Sequence, residues 1–268
     1  MPQIHPTAII HEGAKIAENA VIGPYCIIGK NVRLGNVHLK SHVSIDGNTF
    51  IDDGTEIHPF AVIGEAPQIA GVTKFKKSEI SIGKNCILRE HVTIHPGSDR
   101  DDGVTVIGDN CILMVGCHVG HDCHFGHHVI MANNVIVAGH VRMANYITIG
   151  GMTAIHQKVR IGSYAMIGGM TGIECDVIPY GMVYGERGHL RGLNWVGMKR
   201  HGIDKADRIK LKHIFDDLFC RDEGVLVDRV KDVQEKYSHI QGEALQNLID
   251  FILSPSPRGL TQYKSGSH

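Results

Sequence analysis

The sequence predicts an all-β solenoid that ends in a helical subdomain. Large apolar residues recur at every sixth position over most of the chain. Two polar, glycine-containing stretches interrupt that recurrence, and beyond Asp204 the apolar spacing changes to the three-and-four pattern of helices.

The repeat starts near the first residue. Ile4, Ile10, Ile16, Ile22, Ile28 and Leu34 are six apart; the step slips by one at Leu39 and resumes through Ile45, Ile51, Ile57 and Ile63. From Ile107 the same step reaches Leu113, Val119, Phe125, Met131, Val137, Met143, Ile149, Ile155, Ile161, Ile167 and Ile173. Glycine often follows, as at Gly108, Gly120, Gly126 and Gly150, and the fifth slot of each unit is small or β-branched. Cys111, Cys117 and Cys123 fill that slot in three successive units, which reads as small side chains in a tight interior corner. The pattern resembles the hexapeptide-repeat family, whose fold is an all-β left-handed parallel β-helix with three units to each triangular coil. The handedness is what the resemblance implies. The repeat fails over 65–81 and 96–106, where insertions in a solenoid are expected as extruded loops on a binding face. It fades after Ile173. Residues 1–185 are therefore read as the β-helix domain and 186–268 as a C-terminal α-helical domain, with Asp204 as an N-cap.

Composition narrows the function. Net charge is −1, so no global field points to nucleic acid. No apolar run is long enough to span a membrane, and the first residues lack a charged segment followed by an apolar one. Seven cysteines without a CxxC pair fit a reduced, cytoplasmic protein.

The stretch HVGHDCHFGHH, residues 118–128, holds five histidines. With three repeat units to a coil, positions i and i+18 lie on adjacent coils about 4.8 Å apart. His121 then sits beside Gly139, Asp122 beside His140, and His156 beside Ala138. An imidazole, a carboxylate, a second imidazole and a bare glycine backbone fall in one patch. That set suits general-base catalysis: a carboxylate orients the imidazole, and a glycine amide leaves room for a carbonyl oxygen. The other reading is that histidines decorate solvated corners. It is the better one for His5, His11, His38, His58, His127, His128, His213 and His239, and His124 is also treated as surface.

The strings GHDC, MANN, AGHV, IGGMTAIHQ and IGGMTG, with HPTAII and IGPYCIIG nearer the start and PRGL near the end, carry a closer resemblance. They are similar to the UDP-N-acetylglucosamine acyltransferases that open lipid A synthesis in Gram-negative bacteria. The resemblance implies transfer of an (R)-3-hydroxyacyl group from acyl carrier protein to the sugar 3-hydroxyl of UDP-N-acetylglucosamine. His121 would be the general base, Asp122 its support and Gly139 the oxyanion donor. Lys74, His95, His118, His140, His156, Gln157, Asn194 and Arg200 would bind substrate, and Gly169 would leave the acyl groove open for a long chain. No bound cofactor or metal is implied, because 4'-phosphopantetheine arrives on the carrier; the expected assembly is a homotrimer with shared sites.

The sequence departs from the family pattern at Arg187, Val196 and His201, which bears on sugar-nucleotide recognition. A 3-amino sugar nucleotide is an alternative acceptor. A zinc-dependent protein like the γ-class carbonic anhydrases shares the fold but needs three converging imidazoles, whereas the spacing sets Asp122 against His140. Sister N-acyltransferases carry an extra N-terminal domain that is not seen before Ile4. Acetyl-CoA-dependent transferases and a purely structural solenoid are further alternatives. Lys199, Arg200, Arg208, Lys210 and Lys212 form a basic stretch suited to an acidic carrier.

Overall fold

The computed structural model describes residues 1–70, 78–220, 225–237 and 243–265. The repeat units become two-residue strands joined by tight turns. Most strands turn their first residue outward and bury their second, as in His118–Val119 and Ile130–Met131. Among the described residues the strands stack into three sheets of 11, 9 and 8 strands. The first contains Ile112–Leu113, the second His118–Val119 and the third His124–Phe125. Register partners are three repeat units apart in the regular part: Ile112 with Ile130, His118 with Ile136, His124 with Arg142. The slip expected at Leu39 is real, since Ile22 pairs with Leu39.

Many corners turn through a residue with positive φ, among them Asp122 (58°), His140 (63°) and Lys158 (64°) between the second and third sheets. That conformation is costly for residues with a Cβ. Part of the compensation is a main-chain hydrogen bond back to the preceding coil. His140 N–H donates to His121 O at 2.9 Å and Met152 N–H to Asn133 O at 2.9 Å. At the corner between the third and first sheets the outward rings of His128, Tyr146, Tyr164 and Tyr180 stack at 4.7, 5.0 and 5.4 Å. The interior is a continuous column of Ile, Leu, Val and Cys. Cys111, Cys117 and Cys123 are fully buried in it, and burial pushes the Cys117 thiol up to about 11 and the Cys123 thiol up to about 12.

Both insertions leave from the corner between the second and third sheets, after Ile63 and after Ile94. They are shorter than the failed periodicity predicts. Glu79–Ile82 and Val104–Ile107 alternate half-exposed and buried positions and join the third sheet as four-residue strands, Glu79–Ile82 pairing with Asn48–Ile51 on one side and with Val104–Ile107 on the other.

Beyond Ile173 the chain does not simply fade into helix. Gly181–Tyr184 extends the first sheet and pairs antiparallel with His189–Leu193, so a hairpin straddles the boundary placed at 185. Helices α1 (Trp195–Arg200), α2 (Lys205–Phe219), α3 (Leu226–Lys236) and α4 (Glu243–Leu253) follow. Asp204 caps α2 by accepting from Ala206 N–H at 2.8 Å, whereas α1 was not expected. An ion pair on the fully buried Asp176 helps fasten the helices to the coils. Arg160 Nε donates to Asp176 Oδ2 at 2.7 Å, and its guanidinium lies 4.7 Å over the Phe251 ring of α4. Among the described residues no helix is long and apolar enough to cross a membrane.

Candidate active site

The corner between the second and third sheets gathers the reactive groups because the chain returns to it once in every coil. His121 and Asp122 sit on one coil, Gly139 and His140 on the next. Nδ1 of His121 and Oδ2 of Asp122 are 2.7 Å apart, and Asp122 is fully buried. The His121 ring lies against the Gly139 backbone: a Cβ at 139 would stand 2.6 Å from Cε1 and 2.7 Å from Nε2. Only glycine leaves room for the ring there. Gly139 O accepts from Lys158 N–H at 3.1 Å, while its own N–H has no acceptor among the described residues. A free amide beside an oriented imidazole is what a developing oxyanion needs.

The second insertion closes over this corner. Ser98 N–H donates to Asp122 Oδ1 at 2.7 Å and Ser98 Oγ–H to Asp122 Oδ2 at 2.6 Å. Asp101 Oδ2 lies 3.1 Å from His140 Nδ1 and accepts from Arg142 Nη2 at 3.1 Å. Burial raises the Asp101 carboxyl, but the His140 hydrogen bond and the Arg142 charge outweigh it and hold it below the usual carboxylate range. Asp102 pairs with His124 Nε2 at 3.1 Å, so His124, expected to be free surface, anchors the loop instead. The rings of His121 and His140 meet edge-on at 4.9 Å. Donor atoms of His121, Asp122 and His140 lie within 4.8 Å of one another, close enough to consider a metal. In this arrangement, however, His121 Nδ1 and Asp122 Oδ2 face each other, and both Asp122 oxygens already accept from Ser98.

The other expected residues divide into groups. His118 lies on the same coil as His121 and His95 on the coil before it, with ring centroids 5.3 Å apart. His118 Nδ1 meets Thr93 Oγ1 at 2.8 Å; burial and the His95 ring both push the His118 imidazole down, toward its neutral form. His95 Nδ1 lies 3.0 Å from Glu65 O and from Ala66 O, which ties the first insertion to the site. His156 and Gln157 lie one coil beyond Ala138 and Gly139. Arg258 from the tail donates to His156 Nε2 at 3.1 Å and to Gln157 O at 2.8 Å. Gly169 sits elsewhere, at the corner between the first and second sheets beside Met170 (72% exposed), and a Cβ there would lie 3.2 Å from Gly151 O. Asn194 caps α1: its Oδ1 accepts from Gly197 N–H at 2.9 Å and its Nδ2 donates to Tyr164 O at 2.8 Å. His201, next to Arg200, packs on Tyr146 at 4.8 Å. Asn194 and Arg200 therefore belong to the corner between the third and first sheets, and one chain does not bring them to His121. Lys74 lies outside the described residues.

A family profile described as Udp N-acetylglucosamine O-acyltransferase, Domain 2, matches residues 176–261, and a GMPPB C-terminal domain profile matches residues 2–97. The acyl-[acyl-carrier-protein]–UDP-N-acetylglucosamine O-acyltransferase of Rickettsia prowazekii is 47% identical over 97% of this chain and 98% of its own length. The chain belongs to this acyltransferase family. The same enzyme of Rhizobium johnstonii is 39% identical over 98% of this chain and 96% of its own. Among solved structures, the UDP-N-acetylglucosamine acyltransferase of Campylobacter jejuni superposes with a TM-score of 0.91 at 36% identity, covering 98% of this chain and 100% of that one. That of Francisella novicida gives 0.92 at 36%, over 97% and 94%. The fold of this acyltransferase is accordingly the left-handed parallel β-helix.

Ser98, Asp101, Arg142 and Arg258 are absent from the set of site residues that the sequence suggests. The coil period cannot place Ser98 or Asp101, because both lie in an insertion where the period fails. Arg142 was legible in principle, as an outward residue one coil beyond His124.

Proposed function

We propose that this chain transfers an (R)-3-hydroxyacyl group from the thioester of acyl carrier protein to the 3-hydroxyl of UDP-N-acetylglucosamine, the first step of lipid A biosynthesis, in the cytoplasm. The observation that carries the mechanism is the His121 ring held between the buried Asp122 carboxylate and the bare Gly139 backbone. Asp122 accepts from Nδ1, which leaves the Nε2 lone pair for the sugar hydroxyl. As Nε2 takes that proton, the sugar oxygen attacks the thioester carbonyl, and the Gly139 N–H meets the resulting oxyanion. Collapse breaks the carbon–sulfur bond. The imidazolium returns its proton to the pantetheine sulfur, and the ester and the free carrier thiol leave. No metal enters these steps; the pantetheine is part of the donor.

The acyl chain would run across the second sheet from His121 toward Gly169. Ala154 and Gly172, register partners on successive coils, give that face a low floor along the way. The nucleotide-binding roles assigned to Asn194 and Arg200 need a neighbouring subunit, since both lie at a different corner from His121. A homotrimer with shared sites meets that need. Carrier docking falls to Lys199, Arg200 and Arg208, which line a shallow depression with Trp195 and Val196. Lys210 and Lys212 are paired with Asp207 and Asp216 of their own helix, so they add less to the positive field.

The test is transfer from (R)-3-hydroxymyristoyl carrier protein to UDP-N-acetylglucosamine by wild type and His121→Ala, with and without chelator and over a range of salt. The expected result is wild-type transfer that survives chelator, a donor KM that rises with salt, and a loss of at least about 10²-fold in the variant. A His121→Ala enzyme with wild-type turnover would overturn the base assignment. Transfer only to a 3-amino acceptor would overturn the substrate.

A further inference from the structure

Asp122 is held by a residue that no motif of the chain advertises. Ser98 is as fully buried as Asp122, and it meets both carboxylate oxygens at 2.7 and 2.6 Å. Its place in the extruded loop is tightly defined. Gly97 packs so closely against Gly103 and Val104 that a Cβ there would overlap their main chain, and Gly97 N–H donates to Glu79 O at 3.1 Å.

The direction of these hydrogen bonds is fixed by backbone amides, which can only donate. Ser98 N–H therefore gives its proton to Asp122 Oδ1. Arg100 N–H donates to Ser98 Oγ at 3.3 Å, so the single hydroxyl proton of Ser98 is left for Asp122 Oδ2. Every contact from the loop to the carboxylate is thus a donation. Asp122 stays an acceptor, the proton between it and His121 belongs on Nδ1, and Nε2 carries the lone pair.

We propose that Ser98 is a positioning residue of the acyl transfer, setting the tautomer and the basicity of His121 through Asp122. The inference rests on the general-base reading above. Without the hydroxyl, Oδ2 accepts from His121 alone and binds its Nδ1–H more strongly, which favours the imidazolium. His121 then holds its proton to higher pH. Among the described residues the charged and titratable groups that meet His121 are Asp122 and His140, with Asp101 and Arg142 behind His140, and His140 Nε2 stands 3.9 Å from Asp122 Oδ2.

The experiment measures kcat, both KM values and the pH profile of kcat/KM for wild type, Ser98→Ala, Ser98→Cys and His121→Ala, with circular dichroism to verify the fold. Ser98→Ala is expected to lower kcat about tenfold, to leave both KM values within about twofold, and to move the acidic limb of the profile upward by roughly half a pH unit or more. Ser98→Cys is slightly larger but keeps a weaker donor, and should shift the limb the same way by less. A folded Ser98→Ala enzyme with an unshifted limb overturns the proposal, whatever its rate. If Ser98→Ala does not fold, an unshifted limb in Ser98→Cys overturns it equally. His121→Ala separates the two readings: full activity there defeats the base assignment itself, whereas its loss beside an unshifted Ser98→Ala defeats only the role of Ser98.

Discussion

At position 139 a single absent methyl group decides whether His121 can lie where it does. The ring occupies the space a Cβ would fill, so Gly139→Ala must push the imidazole away from its seat. A displacement of this size in a catalytic group costs on the order of 10²-fold in rate. The expected outcome is a folded variant, judged by dichroism, with kcat lowered by about that factor; kcat within threefold of wild type would show that the seat is not needed. This pairing was legible in the sequence alone, because the coil period sets 121 beside 139 and 122 beside 140. The hydrogen bond from His121 to Asp122 was legible only as an adjacency. Sequence spacing says which coil a residue is on and cannot say that Asp122 turns inward to meet a loop.

Among the elements, the loop after Ile94 shows where reading from sequence stops. Its existence followed from the broken period, but the clasp that Asp101 makes with His140 and Arg142 joins positions far apart in the chain, and no repeat encodes it. The sign of its pH dependence follows from the lowered Asp101 carboxyl. A group depressed in the folded state contributes fully above the ordinary carboxylate range, near pH 4, and loses its contribution only as pH falls below it. The Asp101 carboxylate therefore stays charged, and paired with Arg142, throughout pH 5–8. Asp101→Asn should lower kcat/KM by about two- to fivefold, since the pair is partly exposed, and the ratio of wild type to variant should stay flat from pH 5 to 8. A ratio converging on one at pH 5 would show Asp101 titrating there. The helices were legible from their spacing and from the Asp204 cap. The antiparallel hairpin before them was hidden by its short, glycine-broken strands.

Across the whole molecule, the face that would carry the acyl chain is unusually apolar at its surface. Ile136 is 53% exposed, Met152 63% and Met170 72%, and the second sheet also shows Ile9 and Ile27 to solvent. Such a surface is expected to be covered by other chains. Light scattering at micromolar concentration should give three times the 29.4 kDa of one chain; a monomeric mass with full activity would rule out shared sites. The sequence signalled this assembly only through resemblance, because the repeat reports what faces the core and is silent on what covers the outside. The coil also carries a consequence for how such a molecule can change. Its stacking is a screw operation whose step is one full turn of three repeat units, and alignment between layers depends on position modulo that step. Lengthening the chain by a whole layer away from 121–140 would move the ends apart and leave His121 seated on Gly139. Extra residues that do not complete a layer must be expelled at a corner, as the two insertions are. The corner that carries the insertions, beside His121, is thus a place where this architecture can absorb new sequence without losing alignment.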